Sequence, residues 1–308
     1  MKSRFFRLLS FAASVILCLN LPSVRAATSV PRFAYVPNFV DNTVSIYTVN
    51  ASTGQLRDNG YVLAGHGPGE ATLTGSFLYV SNFGSNNISA YSANPNTGAL
   101  EPVAGSPFTT GTNPTSLRAS VNGKFLFVSN YTSENVWAHN INSTTGALSL
   151  VAGSPFAAGA GPYFVATEPS GRYLYVANSL GNDISGYSIN PTSGALKPLG
   201  SPVPADRSPR AERVDPSGRF LYVANATSND VSAYTINSTT GELKTISGSP
   251  FAAGSAPASV NIDVTGSFVY VANHGSNNVS AYTINSGTGA LTPIAGSPFA
   301  GGTQPRFV

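Results

Sequence analysis

The chain has 308 residues, of which 9% are charged, 42% hydrophobic and 10% aromatic. So apolar a composition excludes an intrinsically disordered chain, and the length is ample for one buried core. The formal charge of +3 counts Lys2, Arg4, Arg7 and Arg25; removing those four of 16 basic residues and none of the 13 acidic ones leaves a net charge of −1, which excludes a basic surface for nucleic acid.

Those four cations lie in residues 1–26, around an apolar run from Leu8 to Leu21 that ends at Val24-Arg-Ala26. A basic start, a short apolar middle and small residues at the cleavage site predict a secretory signal, with a mature chain from Ala27 in the periplasm or outside the cell. The run is short for a membrane span, so no transmembrane segment is expected after its removal. Leu17 stands where a lipid-attachment motif wants a small residue, which argues against an anchor at Cys18. Cys18 is the one cysteine, so the mature chain has no disulfide to staple it.

From residue 27 onward the chain reads as one domain of repeats. Asn38, Asn82, Asn130, Asn178, Asn225 and Asn273 recur at spacings of 44, 48, 48, 47 and 48 residues. Each unit holds four short apolar segments, as in Pro209–Val214, Phe220–Ala224, Val231–Ile236 and Glu242–Ile246. Their period-two alternation predicts strands, and turns such as Asp215-Pro-Ser-Gly218 predict hairpins. A four-stranded antiparallel unit at this period is the mark of an all-β propeller, because one small sheet can bury its faces only against its neighbours. Six second strands and six prolines opening innermost strands (Pro68, Pro114, Pro162, Pro209, Pro257, Pro305) predict six blades, closed by pairing residues 304–308 with the strand that starts at Arg32. A truncated seven-bladed ring is the alternative.

The recurring Tyr-Val-x-Asn, Thr-Gly-x-Leu and Gly-Ser-Pro-Phe resemble the YVTN-type repeats of the lactonase propeller family, which includes 6-phosphogluconolactonase-like and carboxymuconate-lactonizing proteins. The resemblance spans residues 32–308 and is more specific for fold than for activity. It implies functional side chains at the channel mouth: a His in the fourth blade, Pro-Arg-His and Asn-Glu in the fifth, and Pro-Arg in the seventh. In this sequence the fourth-blade position is Tyr163. Pro209-Arg210 matches, but Ala211 and Ala226 replace the His and the Glu, and Arg306 matches the later arginine.

Candidate catalytic residues are therefore Arg210, Arg306 and His274, the last following Asn273. Guanidiniums can hold a carboxylate or phosphate, or stabilise an oxyanion. Tyr163, Tyr131, Phe83 and Phe39 are expected at the mouth, and Arg213 and Arg118 inside the channel. Glu212 falls where Leu117, Val165 and Val260 stand in sister strands, so it is expected between blades with an arginine partner. His139 occupies a position filled elsewhere by tyrosine and reads as core. With no thiol and scattered histidines, neither a metal nor a cofactor is expected. The leading expectation is a monomeric binding module with an incomplete catalytic set, taking a small anionic or sugar-like ligand or a partner. The alternatives are an active lactone hydrolase and a cell-surface or matrix interaction repeat meeting a protein or cell-wall partner.

Overall fold

The computed structural model describes residues 32–308, so the expected signal lies outside the described residues. Six antiparallel sheets follow one another along the chain. The first consists of Phe33–Asn38, Thr43–Val49 and Leu56–Leu63. The fifth, typical of the rest, holds Pro209–Val214, Phe220–Asn225, Asp230–Ile236 and Leu243–Thr245. These match the segments expected from the sequence. The innermost strands of the second to sixth sheets stand side by side in chain order around a common channel.

The outer edge departs from expectation. A further two-residue strand, Phe251–Ala252 in the fifth sheet, pairs with the same third strand as Leu243–Thr245, so the edge is built in two pieces. The Gly-Ser-Pro stretch breaks it, and its serine covers the break: Ser249 Oγ accepts the Ala233 amide at 2.9 Å, and Ser106 and Ser297 do the same for Ala90 and Ala281. A third-strand N–H between the two ladders is thereby satisfied.

Apolar side chains of each sheet pack against the next; Tyr222 and Val231 of the fifth meet Val260 and Val269 of the sixth. Polar clamps fix this stacking. The second-strand tyrosine donates its hydroxyl to the carbonyl of the Thr-Gly turn in the following sheet, in Tyr35 to Gly98, Tyr79 to Gly146, Tyr175 to Gly241 and Tyr222 to Gly289, at 2.7 to 3.0 Å. The turn must be glycine: at Gly289, φ is +75° and a Cβ would lie 2.4 Å from the Phe220 ring. A second clamp runs backwards, from third-strand Tyr91, Tyr187 and Tyr234 to Leu63, Ala157 and Pro204 carbonyls of the preceding sheet.

The expected pairing of the two termini is absent from the described strands. Residues 304–308 form no ladder with Phe33–Asn38. Instead they continue one repeat beyond the sixth sheet, with Gln304 N–H donating to Asn277 Oδ1 at 2.7 Å and Asn261 Nδ2 to the Val308 carbonyl at 3.1 Å. Both flanks of the resulting arc are open. On the sixth sheet Tyr270 is 37% exposed; on the first, Leu56 is 51% exposed where Leu100 and Leu291 are 4% and 5%. Among the described residues no atom lies within 4 Å of a Cβ built on Gly54, whereas its counterparts meet an aromatic ring. Among the described residues no strand of the sixth sheet, nor of residues 304–308, pairs with the first sheet.

His139 is buried, as expected, in the tyrosine position, but its Nε2 has no hydrogen-bond partner. Burial lowers its pKa from 6.5 to about 4. Between these values the unfolded chain binds the proton and the folded one does not, so stability present above pH 6.5 falls as pH drops toward 4, by up to about 3 kcal/mol. Urea unfolding of His139→Tyr, which restores the backward clamp, should show a flatter acid limb than the parent; equal slopes would refute this account.

Candidate functional site

The latch that places Gln304 recurs around the channel. In five of the six sheets a left-handed asparagine in the loop after the second strand accepts the N–H of the residue before the next inner-strand proline: besides Asn277, Asn42 from Gly67, Asn86 from Asn113, Asn182 from Ser208 and Asn229 from Ala256, at 2.8 to 2.9 Å; in the third sheet Glu134 holds the position. The buried second-strand asparagines brace the same end; Asn225 Nδ2 donates to Asp230 Oδ1 and Ser232 Oγ at 2.7 and 2.8 Å. Pro68, Pro114, Pro209, Pro257 and Pro305 therefore present their following residues from equivalently latched backbone, while Pro162 presents Tyr163 without this latch. Gly69, Thr115, Tyr163, Arg210, Ala258 and Arg306 line one pocket with Phe39 and Phe83, enclosing about 720 Å³, open solvent included.

Within it Arg210 stacks its guanidinium 5.4 Å from the Tyr163 ring centroid, and its Nε is buried without a hydrogen bond. Tyr131 meets Tyr163 edge-on, with centroids 6.2 Å apart. Phe39 and Phe83 pack at 6.4 Å. Arg306 stands close enough to Tyr163 and Arg210 to feel both: burial, then the Arg210 charge, lower its pKa, while Tyr163 opposes them. Burial raises the Tyr163 phenol above its ordinary value, against the pull of the two arginines. His274 is held neutral, its pKa lowered first by burial and then by Arg306 and Arg210, and its Nε2 has no partner. Arg210, Arg306 and His274, chosen separately along the sequence, thus share one electrostatic neighbourhood.

Arg118 and Arg213 stand on their innermost strands three residues beyond Thr115 and Arg210 of the mouth. Arg213 rests 5.6 Å from the Phe164 ring centroid. Arg118 Nη2 lies 3.6 Å from Glu70 Oε1, while Glu70 Oε2 accepts the Leu117 amide at 3.3 Å. Glu70 lines the pocket and was not anticipated. Its signal was available: a carboxylate two residues after Pro68, where sister strands carry Ser116, Phe164, Ala211 and Ser259.

The arginine partner expected for Glu212 is not formed. Its carboxyl is fully buried between sheets, with neither oxygen in a well-formed hydrogen bond nor, among the described residues, in an ion pair. Burial first raises its pKa well above the carboxylate range; the Ala166 and Ala177 amides and the Arg213 and Arg118 charges only partly offset this. The side chain is carried as a neutral acid, because the site excludes water without offering a close cation. A raised folded pKa means stability present at low pH and lost as pH rises through it. Glu212→Gln, which mimics the neutral acid, should retain stability on the alkaline side where the parent loses it in thermal unfolding from pH 6 to 10; parallel curves would contradict the assignment.

Among the described residues no group of three or more His, Cys, Asp and Glu is placed to hold a metal ion, and no helix is long and apolar enough to cross a membrane. No curated protein matches the chain. Solved structures do. A candidate 6-phosphogluconolactonase of Bacteroides fragilis superposes with a TM-score of 0.82 at 21% identity, over 93% of this chain and 85% of that one. One from Bacteroides uniformis gives 0.79 at 20% over 88% and 83%, and the periplasmic gluconolactonase of Pseudomonas aeruginosa 0.78 at 17% over 89% and 84%. At these identities the likeness is one of fold. The profile of the lactonase seven-bladed β-propeller family matches residues 26–166, 104–210 and 152–304. With sheets, clamps and sequence profile in agreement over most of its length, this chain belongs to the lactonase family of β-propellers.

Proposed function

We propose that this protein is an exported binding module for a small anionic ligand held at the channel mouth. The observation that carries the reading is the convergence of Arg210 and Arg306 on Tyr163, where one guanidinium already stacks on the ring and keeps a buried Nε unpaired. Such a pair offers forked donors to a carboxylate or phosphate, and Tyr163, Phe39 and Phe83 give apolar surface for a ring.

A second reading, lactone hydrolysis, is favoured by one feature. His274 is neutral with a free Nε2 beside the two arginines, so it has the protonation state of a general base, and the arginines could stabilise the oxyanion. Binding ranks first because the pocket carboxylate, Glu70, is engaged by Leu117 and Arg118 and does not orient the imidazole.

The two readings separate in pH-stat hydrolysis of a panel of aldonolactones, run beside calorimetric titration with the corresponding acids. Binding of an acid, weakened at least about tenfold in Arg210→Ala and without turnover, is the expected result. Hydrolysis that falls about 100-fold or more in His274→Ala would install the enzyme reading.

The ring itself needs one more element under this reading. The sixth-sheet flank offers Phe268 and Tyr270, and the first-sheet flank Gly54 and Leu56, each half of a contact made at the other junctions. A seventh blade supplies both missing halves and begins with the inner strand opened by Pro305. Joining a copy of residues 261–308 after Val308 should raise the urea midpoint and protect Tyr270 from surface labelling. An unchanged midpoint with Tyr270 still reactive would favour a ring closed by six.

A further inference from the structure

Below the pocket floor, the channel holds two guanidiniums that the protein does not fully neutralise. Arg118 and Arg213 occupy the same register, four residues after Pro114 and Pro209, on the third and fifth innermost strands. Arg118 Nη2 is buried without a hydrogen bond, since Glu70 Oε1 at 3.6 Å is too distant for one. Arg213 lies over Phe164, and no carboxylate reaches it within ion-pair distance among the described residues. Arg118 burdens Arg213: burial, then the Arg118 charge, push the Arg213 pKa down to about 10. Burial disfavours the charged form of Glu212, which leaves Glu70 as the carboxyl within reach of Arg118. Glu70 and Phe164, which touch these two arginines, also line the pocket above, so the pair is reached from the mouth.

Two forked donors with unspent N–H groups in a low-dielectric channel are short of acceptor oxygens. A sulfate, a phosphate or the phosphate of a larger molecule supplies several such oxygens in one rigid group. We infer that the lower channel is an oxyanion site, in which Arg118 and Arg213 grip one tetrahedral anion and Glu70 is the internal group it competes with. The site uses different arginines from the mouth, sharing only Glu70 and Phe164 with its lining, and stands whether or not the mouth takes an acid.

Calorimetric titration and thermal unfolding of the purified protein with sodium sulfate, inorganic phosphate and glycerol 3-phosphate, against sodium chloride at matched ionic strength, test this. Saturable binding of the divalent anions is expected, weakened at least about tenfold in Arg213→Met and also weakened in the charge-keeping Arg213→Lys. Glu70→Gln should tighten it, and a saturable phosphate site should persist in Arg210→Ala, which removes only the mouth arginine. Tighter binding of glycerol 3-phosphate than of phosphate would identify the group as one carried on a larger ligand; equal binding would identify a free anion. The inference is overturned if no binding exceeds that of chloride, or if well-folded Arg213→Lys binds as the parent does. Loss of phosphate binding in Arg210→Ala would also overturn it by moving the anion to the mouth, while acid binding that survives Arg210→Ala would sink the mouth reading alone.

Discussion

The hydroxyl that each second-strand tyrosine sends into the next sheet's glycine turn is the contact on which the architecture rests. A small twisted sheet cannot bury two apolar faces by itself, and packing alone would let neighbouring sheets slide. A directional bond from a buried phenol to a carbonyl fixes where the next sheet sits, and the turn glycine lets the aromatic ring beside it approach. The effect of losing the partner is visible at Tyr270, whose ring is left in solvent at the flank of the arc. His139 shows the same rule from the other side, because a ring too short to complete the backward clamp buries a nitrogen with nothing to bond.

Much of this was legible in the chain. Tyr-Val-x-Asn and Thr-Gly-x-Leu are the two halves of one junction, so their recurrence gave away both strands and the order of stacking. The mouth was legible for the same reason, since the proline and asparagine positions are set by backbone geometry that every unit repeats. What escaped was what depends on neighbours three-dimensionally. The Gly-Ser-Pro break in the outer edge reads as a turn until the serine is seen accepting a third-strand amide. Glu70 was overlooked and Glu212 given a partner it lacks, because alternation tells which face a side chain takes but not which charges from other units stand opposite. Closure was predicted by counting strands, and a count is blind to whether two flanks meet.

Charge is distributed unlike the composition suggests. A chain nearly balanced once its first 26 residues are set aside places Arg118, Arg210, Arg213 and Arg306 along a single channel. With the charged form of Glu212 disfavoured by burial, four guanidiniums and the carboxyl of Glu70 set the field inside the channel. Walls of low dielectric make that field stronger than the same charges would produce on an exposed surface.

The asparagine latch has an evolutionary consequence. At every mouth position but Tyr163, the backbone that presents the residue is held by an asparagine of the preceding unit's loop rather than by the side chain itself. Gly69, Thr115, Arg210, Ala258 and Arg306 can therefore occupy equivalent places without disturbing the strands behind them. Specificity can be rewritten one blade at a time on such a frame, with each substitution tried on a scaffold whose folding does not depend on the outcome.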